Sequence, residues 1–324
     1  MKTFLTLISL ISLFTACSPA EDPIAEFRVA AKGLHSATVS DDGTHIAVGS
    51  MYHGISYWRI EDQERLYNWN HTANEATTAV AMDISDNNRW AVTASVQDLV
   101  LWDTKSGVGE RYWIAPGEIL DLELSPRASL ALLGLSNHSA VIFDIQRGGI
   151  KRTLQHTNRV RSVDMDASGR YALTGSEDFG VRFWDIESGK LLKHIKHNDD
   201  VQLVKLSDDG SLALSVSKYD KALVWKTDSG EELGEIPLQA SRLKRGIRFT
   251  AAQFSADNRY LITGRQDQIV QLWALENMKE IKRWKLPKQK SWRPTSAAVI
   301  ELGFAGDNKI IAAASHGSVF ILQR

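Results

Sequence analysis

Short runs of alternating apolar and polar residues cover most of the chain, and residues 160–195 show the pattern most clearly. Three extended runs, 160–165, 171–174 and 181–186, are separated by turns rich in Asp, Ser and Gly, residues that suit the backbone angles of tight turns. A fourth run follows from Lys190 after another such turn. This spacing predicts short antiparallel strands that form one small twisted sheet.

The same order of strands and turns returns along nearly the whole sequence. The copies align on one position of the third run, which is occupied by Trp58, Trp102, Phe143, Trp184, Trp225, Trp273 and Ile321. The intervals between these residues are 44, 41, 41, 41, 48 and 48. A period of this length, with four strands in each copy, indicates repeated sheets that pack side by side.

Two of the copies end their third run with a Trp-Asp pair, at Trp102 and at Trp184, and the repeat resembles the WD-repeat β-propeller family. The resemblance covers roughly residues 26–324 and implies an all-β fold, a seven-bladed β-propeller of four-stranded antiparallel blades. The last copy contains only three runs, which would leave an unpaired strand edge. We therefore expect residues 26–32 to supply the fourth strand of the C-terminal blade and to close the ring.

The resemblance also implies a buried hydrogen-bond set in blade four, where His156, Thr174, Asp178 and Trp184 occupy the family's positions. In the family, these side chains tie the outer strands of a blade to its inner strands. They look superficially like a catalytic triad with a hydroxyl, but the Trp partner and the blade register favour a structural brace.

Blades five and six keep only part of this set. Blade five keeps His197, Ser215 and Trp225, but Tyr219 stands where the Asp is expected and Asp220 lies one position late. Blade six has no matching His. We therefore expect blade four to be the most rigid of the seven.

The first residues have the pattern of an export signal. Lys2 precedes an apolar segment, 4–14, that is too short to cross a bilayer, which takes about 20 residues. Residues 14–17 resemble the cleavage site of bacterial lipoproteins, although Phe14 stands where Leu is usual. The predicted divisions are a lipoprotein signal peptide at 1–16, a lipidated Cys and tether at 17–25, and the propeller at 26–324.

Cys17 is the only cysteine, so it cannot form an intramolecular disulfide. The several acyl chains of a lipoprotein, palmitate among them, would anchor the protein stably. Ser18 after the cysteine resembles a signal for the outer membrane of Gram-negative bacteria, and we expect the protein to face the periplasm. A plain secreted protein and an uncleaved membrane anchor are the alternatives.

No catalytic or cofactor-binding motif is evident in the sequence. It has no phosphate-binding loop, no HExxH and no G-x-S-x-G, and its nine His residues lack the spacing of metal ligands. Acidic pairs such as Asp41 with Asp42 lie in predicted turns. We therefore predict no cofactor, no metal site and no enzymatic activity, and we keep a propeller enzyme with converging carboxylates at its channel as a minor alternative.

Charge is unevenly distributed, although the formal net charge is only −1. From Arg242 to Arg293 there are 13 Lys or Arg and 4 Asp or Glu, so the rest of the chain has a net charge of −10. The excess lies mainly in two insertions, 241–248 and 279–294, on either side of blade six. Both insertions connect the fourth strand of one blade to the first strand of the next, and the resemblance implies that these connections open on one face of the ring, together with the turns between second and third strands. The candidate partner-binding residues of this face are Arg242, Lys244, Arg245, Arg248, Arg265, Lys290, Trp292 and Arg293.

These observations favour a non-catalytic scaffold that holds another envelope protein through the basic loops around blades five to seven. Trp and Arg are enriched where interfaces gain most of their energy. The alternatives are a purely solvated surface and binding of an anionic polymer or glycolipid. Nucleic acid is not an expected partner because the predicted location is outside the cytoplasm.

Overall fold

The computed structural model describes residues 20–73, 75–218, 220–238, 247–288, 298–306 and 308–324. These residues form seven four-stranded antiparallel sheets, as the repeat predicts. Within the part of the chain that is described, no helix is long and apolar enough to cross a membrane.

The strands follow the chain in simple order. The closing strand and blades one and two comprise β1 (Ala25–Arg28), β2 (Leu34–Val39), β3 (His45–Ser50), β4 (Gly54–Arg59), β5 (Glu64–Asn68), β6 (Ala81–Ile84), β7 (Trp90–Ala94), β8 (Asp98–Asp103) and β9 (Gly109–Ile114). Blades three and four comprise β10 (Ile119–Leu124), β11 (Leu130–Leu135), β12 (Ser139–Asp144), β13 (Ile150–Gln155), β14 (Val160–Met165), β15 (Tyr171–Ser176), β16 (Gly180–Asp185) and β17 (Leu191–Lys196). Blades five to seven comprise β18 (Val201–Leu206), β19 (Leu212–Ser217), β20 (Ala222–Lys226), β21 (Glu232–Ile236), β22 (Phe249–Phe254), β23 (Tyr260–Arg265), β24 (Ile269–Ala274), β25 (Lys279–Lys285), β26 (Val299–Ala305), β27 (Lys309–Ala314) and β28 (Ser318–Gln323).

The N-terminal strand closes the ring, as the three runs of the last repeat predict. β1 pairs antiparallel with β28, with Phe27 opposite Val319, and so becomes the fourth strand of blade seven. The strand is shorter than residues 26–32, because Val29 and Ala30 already turn towards blade one and donate their N–H groups to the carbonyl oxygen of Gly317. The inner strand β2 of blade one then packs against the inner strand β26 of blade seven.

The core lies between neighbouring blades rather than in one central mass. Each group of buried apolar side chains draws on adjacent sheets, and one of them joins β1 through Phe27 to Ile46 and Val48 of blade one. A blade cannot bury its faces alone, so each sheet depends on the next one around the ring. The inner strands surround a central channel with a cavity of about 380 Å3.

Candidate functional site

The two basic insertions begin and end beside the same turn of blade six. The N–H of Gln266 donates to the carbonyl oxygen of Arg248 at 3.0 Å, at the end of the first insertion. The N–H of Leu286 donates to the carbonyl oxygen of Gln268 at 2.9 Å, directly after β25, the strand that residues 279–285 of the second insertion form. The turn between β23 and β24 therefore lies between both loops and holds them on one face of the ring.

Buried apolar side chains and backbone bonds fix the bases of both loops. Leu238 and Leu286 are buried, and the N–H of Ile247 donates to the carbonyl oxygen of Leu238 at 2.5 Å. The second base is held from blade seven, where His316 Nε2 lies 3.2 Å from the carbonyl oxygen of Pro287. Both loops therefore start from fixed bases on the ring, an arrangement that is common for binding loops.

Most of the predicted partner-binding residues fall within the loops themselves. Arg242, Lys244, Arg245, Lys290, Trp292 and Arg293 lie outside the described residues, and so does the proposed lipidation site, Cys17. Arg248 is described, and it is exposed at the edge of the first loop, directly before β22.

Arg265 is the other described candidate, and it lies at the end of β23, beside the turn between the two insertions. It is buried, at 8% exposure, and its guanidinium donates two hydrogen bonds to Asp267, with N–O distances of 2.8 and 2.5 Å. The carboxylate two positions later reaches back over the turn, so Arg265 stiffens the turn between the two insertions. Its part in binding a partner stays a prediction.

The four side chains of the blade-four set lie together. His156 Nε2 and Trp184 Nε1 lie 2.8 and 2.9 Å from Thr174 Oγ1, whose own hydroxyl reaches the carbonyl oxygen of Arg182 at 3.3 Å. The Arg182 guanidinium donates to Asp178 at 2.8 Å and also contacts His156 Nδ1. His156 Nδ1 itself lies 3.4 Å from the Asp178 carboxylate, so Asp178 is within reach of both Arg182 and His156.

Two more blades contain a similar arrangement. In blade five, His197 Nε2 lies 2.9 Å from Ser215 Oγ, and His197 Nδ1 lies 3.6 Å from the late-placed Asp220. In blade two, which the sequence comparison passed over, His71 Nε2 lies 2.8 Å from Thr93 Oγ1, to which Trp102 also donates. A connection of unusual length separates His71 from its strand β6, and this hid the match.

Burial sets the protonation of these histidines. Desolvation lowers the pKa of His156 and His197, and it lowers the pKa of His71 to about 4. Each ring is therefore neutral at physiological pH, and its Nε2 lies within hydrogen-bond distance of a Thr or Ser hydroxyl. This arrangement suits a brace between strands.

The central channel contains acidic side chains that the sequence analysis did not single out. Asp83 on β6 accepts the N–H of Leu124 on β10 at 2.8 Å, and Asp121 on β10 accepts the N–H of Val163 on β14 at 2.9 Å. Asp164 on β14 accepts the N–H of Leu206 on β18 in the same way. The residues recur 41 or 42 positions from their donors, so each carboxylate bridges one blade to the next.

One lysine neutralises part of this acidic channel. Lys205 Nζ lies 2.9 Å from Asp164 and 3.9 Å from Glu123. Burial alone would lower the pKa of Lys205, but the surrounding carboxylates outweigh it and hold that pKa well above its ordinary value. Burial raises the pKa of Glu301 in the same channel to about 7.

The converging carboxylates have a structural task, because three of them accept backbone N–H groups of the next blade. Among the described residues, no group of three or more His, Cys, Asp or Glu has the arrangement of a metal site. The alternation in LDLEL, residues 120–124, could have revealed Asp121 and Glu123 as channel residues. It was missed because alternating acids on a strand equally suit a solvent-exposed face.

Comparison with known families agrees with the repeat. The model of the WD40 repeat, described as "WD domain, G-beta repeat", matches residues 148–185 and 244–274, which lie mainly in blades four and six. A comparison with curated proteins found no match. WD40 propellers are commonly protein-interaction scaffolds and are generally non-catalytic.

Proposed function

We propose that this chain is a lipid-anchored scaffold of a bacterial envelope, whose seven-bladed ring holds an acidic partner protein with the two basic insertions. The observation that carries the proposal is the shared support: both insertions begin or end beside one turn of blade six. Residues 239–248 and 286–298 together contain seven Lys or Arg and no Asp or Glu. Such a surface attracts negative charge and speeds the association of an acidic partner.

The anchoring half of the proposal rests on the sequence. Cleavage before Cys17 and acylation of its thiol would hold the ring at the outer membrane, on the periplasmic side. An envelope partner would then meet the loops at a high local concentration, because both proteins share one thin compartment.

Charge reversal of the loops tests the binding site. We expect Lys244, Arg245, Lys290 and Arg293, changed together to Glu, to abolish crosslinking to an envelope protein without lowering the melting temperature. The control reverses Lys105, Arg127, Lys190 and Lys196, four exposed cations of blades two to four that make no ion pair among the described residues. If the loop variant and the control variant both lose the adduct, or if both keep it at low salt, the loops are not the binding site.

The same variants separate a protein partner from an anionic polymer or glycolipid. Binding of purified lipopolysaccharide or peptidoglycan that falls as salt is raised, without any protein adduct, would assign the loops to the second class of ligand. The four-residue control should retain that binding as well, since its charges lie away from the loops.

A further inference from the structure

The predicted tether is attached to the outer edge of blade six. The N–H of Glu21 donates to the carbonyl oxygen of Arg283 at 2.8 Å, and the N–H of Lys285 donates to the carbonyl oxygen of Glu21 at 3.1 Å. The Glu21 carboxylate also pairs with Lys282 Nζ at 3.0 Å. Glu21 therefore adds a short parallel bridge to the outer strand β25, which would otherwise be an open edge.

The segment continues directly from blade six into the strand that closes blade seven. The N–H of Ile24 donates to the carbonyl oxygen of Ile321 at 2.9 Å, one residue before β1 begins. Residues 21–28 thus contact two neighbouring blades and do not act as a free spacer. Only the four steps from Cys17 to Glu21 remain as a tether, and a fully extended chain spans at most about 14 Å over that length.

The surface beside this attachment suits a bilayer. Ile281, 48% exposed, lies on β25 between the exposed Lys279 and Lys285, which make no ion pair among the described residues, and Ile24 in the attached segment is 55% exposed. Apolar side chains flanked by Lys are typical of protein surfaces that bind anionic lipid headgroups, since the long Lys stems can lie along apolar surface.

Surface chemistry alone would not single out blade six. The outer strand β13 of blade three also combines an exposed apolar residue, Ile150 at 47%, with the cations Lys151 and Arg152. The difference is the anchor. It holds Glu21, and with it the edge of β25, about 14 Å or less from the membrane, close to the range in which headgroup charge acts, with a Debye length of about 8 Å at physiological salt.

We propose that the outer edge of blade six, formed by β25 with residues 21–24, lies against the anionic surface of the bilayer in which Cys17 is anchored. This inference rests on the proposed lipidation. It orients the molecule: the ring stands on its edge, so both of its faces remain open to the aqueous compartment. The bases of the basic insertions lie on one of these open faces, where a neighbouring envelope protein can approach.

A pair of matched labels tests the orientation in the full-length acylated protein. Ile281→Cys and Ile150→Cys place a single reactive thiol at nearly equal exposure on blades six and three, because the proposed lipid would block the thiol of Cys17. Each is labelled with an environment-sensitive fluorophore in vesicles of phosphatidylethanolamine with phosphatidylglycerol. We expect a blue shift and quenching by lipid-bound quenchers at position 281 only. Equal spectra at both positions would overturn the proposal.

Two further variants identify the cause of either result. Lys279→Glu with Lys285→Glu should abolish the shift at position 281 while the protein still sediments with the vesicles. A persistent shift in that variant would contradict the role of the cations. Cys17→Ala should leave the membrane fraction of cells; if it stays there as wild type does, the anchor itself is wrong, and the proposed orientation falls with it.

Discussion

Blades four and six reach the same fold with different interiors. In blade four, Thr174 joins His156 and Trp184, whereas in blade six Thr263 accepts only the indole N–H of Trp273, at 2.9 Å. The second strands of both blades nevertheless have the same burial pattern, with five of six residues buried. The complete set is therefore not needed to form a blade, because packing against the neighbouring sheets does most of that work.

Blade six differs in another way, because the departures from the repeat gather around it. Both long insertions flank it, the turn at Arg265 lies between them, and Glu21 attaches to its outer strand. None of these features is needed to build a four-stranded sheet. The regular blades therefore supply stability, while the irregular blade six supports the loops that we propose to bind a partner.

Both blades should depend on an intact ring, and a substitution in the closing strand should have the largest effect on stability. Phe27→Asp puts a carboxylate at a position with 6% exposure between blades seven and one. We expect a loss of more than about 3 kcal/mol in the free energy of unfolding, the range for truncating a buried Phe, with a further cost for burying charge. Glu26→Ala, on the exposed neighbour, is the control in chemical denaturation. Equal midpoints for the two variants would mean that closure is dispensable.

The hydrogen-bond sets predict a smaller difference between the two blades. Thr174→Val leaves His156 and Trp184 without their shared partner, whereas Thr263→Val leaves only Trp273. At about 1–3 kcal/mol for each buried polar group that loses its partner, the blade-four variant should lose roughly twice as much stability. Urea unfolding of both variants measures the ratio, and a larger loss in blade six would reverse the comparison.

The buried histidines predict that the protein loses stability in acid. Blade six has no histidine in its hydrogen-bond set and should not add to this loss. Burial lowers the pKa of His71 to about 4, below the value of about 6.5 in an unfolded chain. Between pH 4 and 6.5 the unfolded chain therefore binds more protons than the folded protein. The stability that the neutral imidazole of His71 contributes is complete above about pH 6.5 and is lost as the pH falls towards 4. Changing His71, His156 and His197 to Gln should flatten the melting temperature between pH 4 and 7. An unchanged slope would show that other groups cause it.

The sequence was sufficient to predict the fold because the same pattern of strands and turns occurs in seven copies. The aromatic of the third strand, the Asp-Gly turns and the three-run last copy together predicted the blade count and the closing strand. Side-chain reach was harder to predict. Asp220, one position late, lies 3.6 Å from His197 Nδ1. The Arg265 side chain folds back onto Asp267, because a tight turn places residues two apart within bonding distance.

The candidate site was only partly predictable for a related reason. Charge counting found the two insertions, and strand order placed them on one face, but their common support at the turn of blade six depends on backbone bonds without a sequence signal. The attachment of Glu21 to β25 was likewise hidden, since a polar segment before a first strand is equally typical of a flexible tether.

The most direct test compares one position on blade six with its equivalent on blade four. Arg248 and Arg159 are both exposed and each directly precedes the first strand of its blade. A photo-crosslinking residue is placed at either position of the full-length protein in cells. We expect a discrete protein adduct at position 248, absent at position 159 and lost when the four loop cations are reversed. Equal adducts at both positions, or an adduct that survives charge reversal, would contradict this expectation.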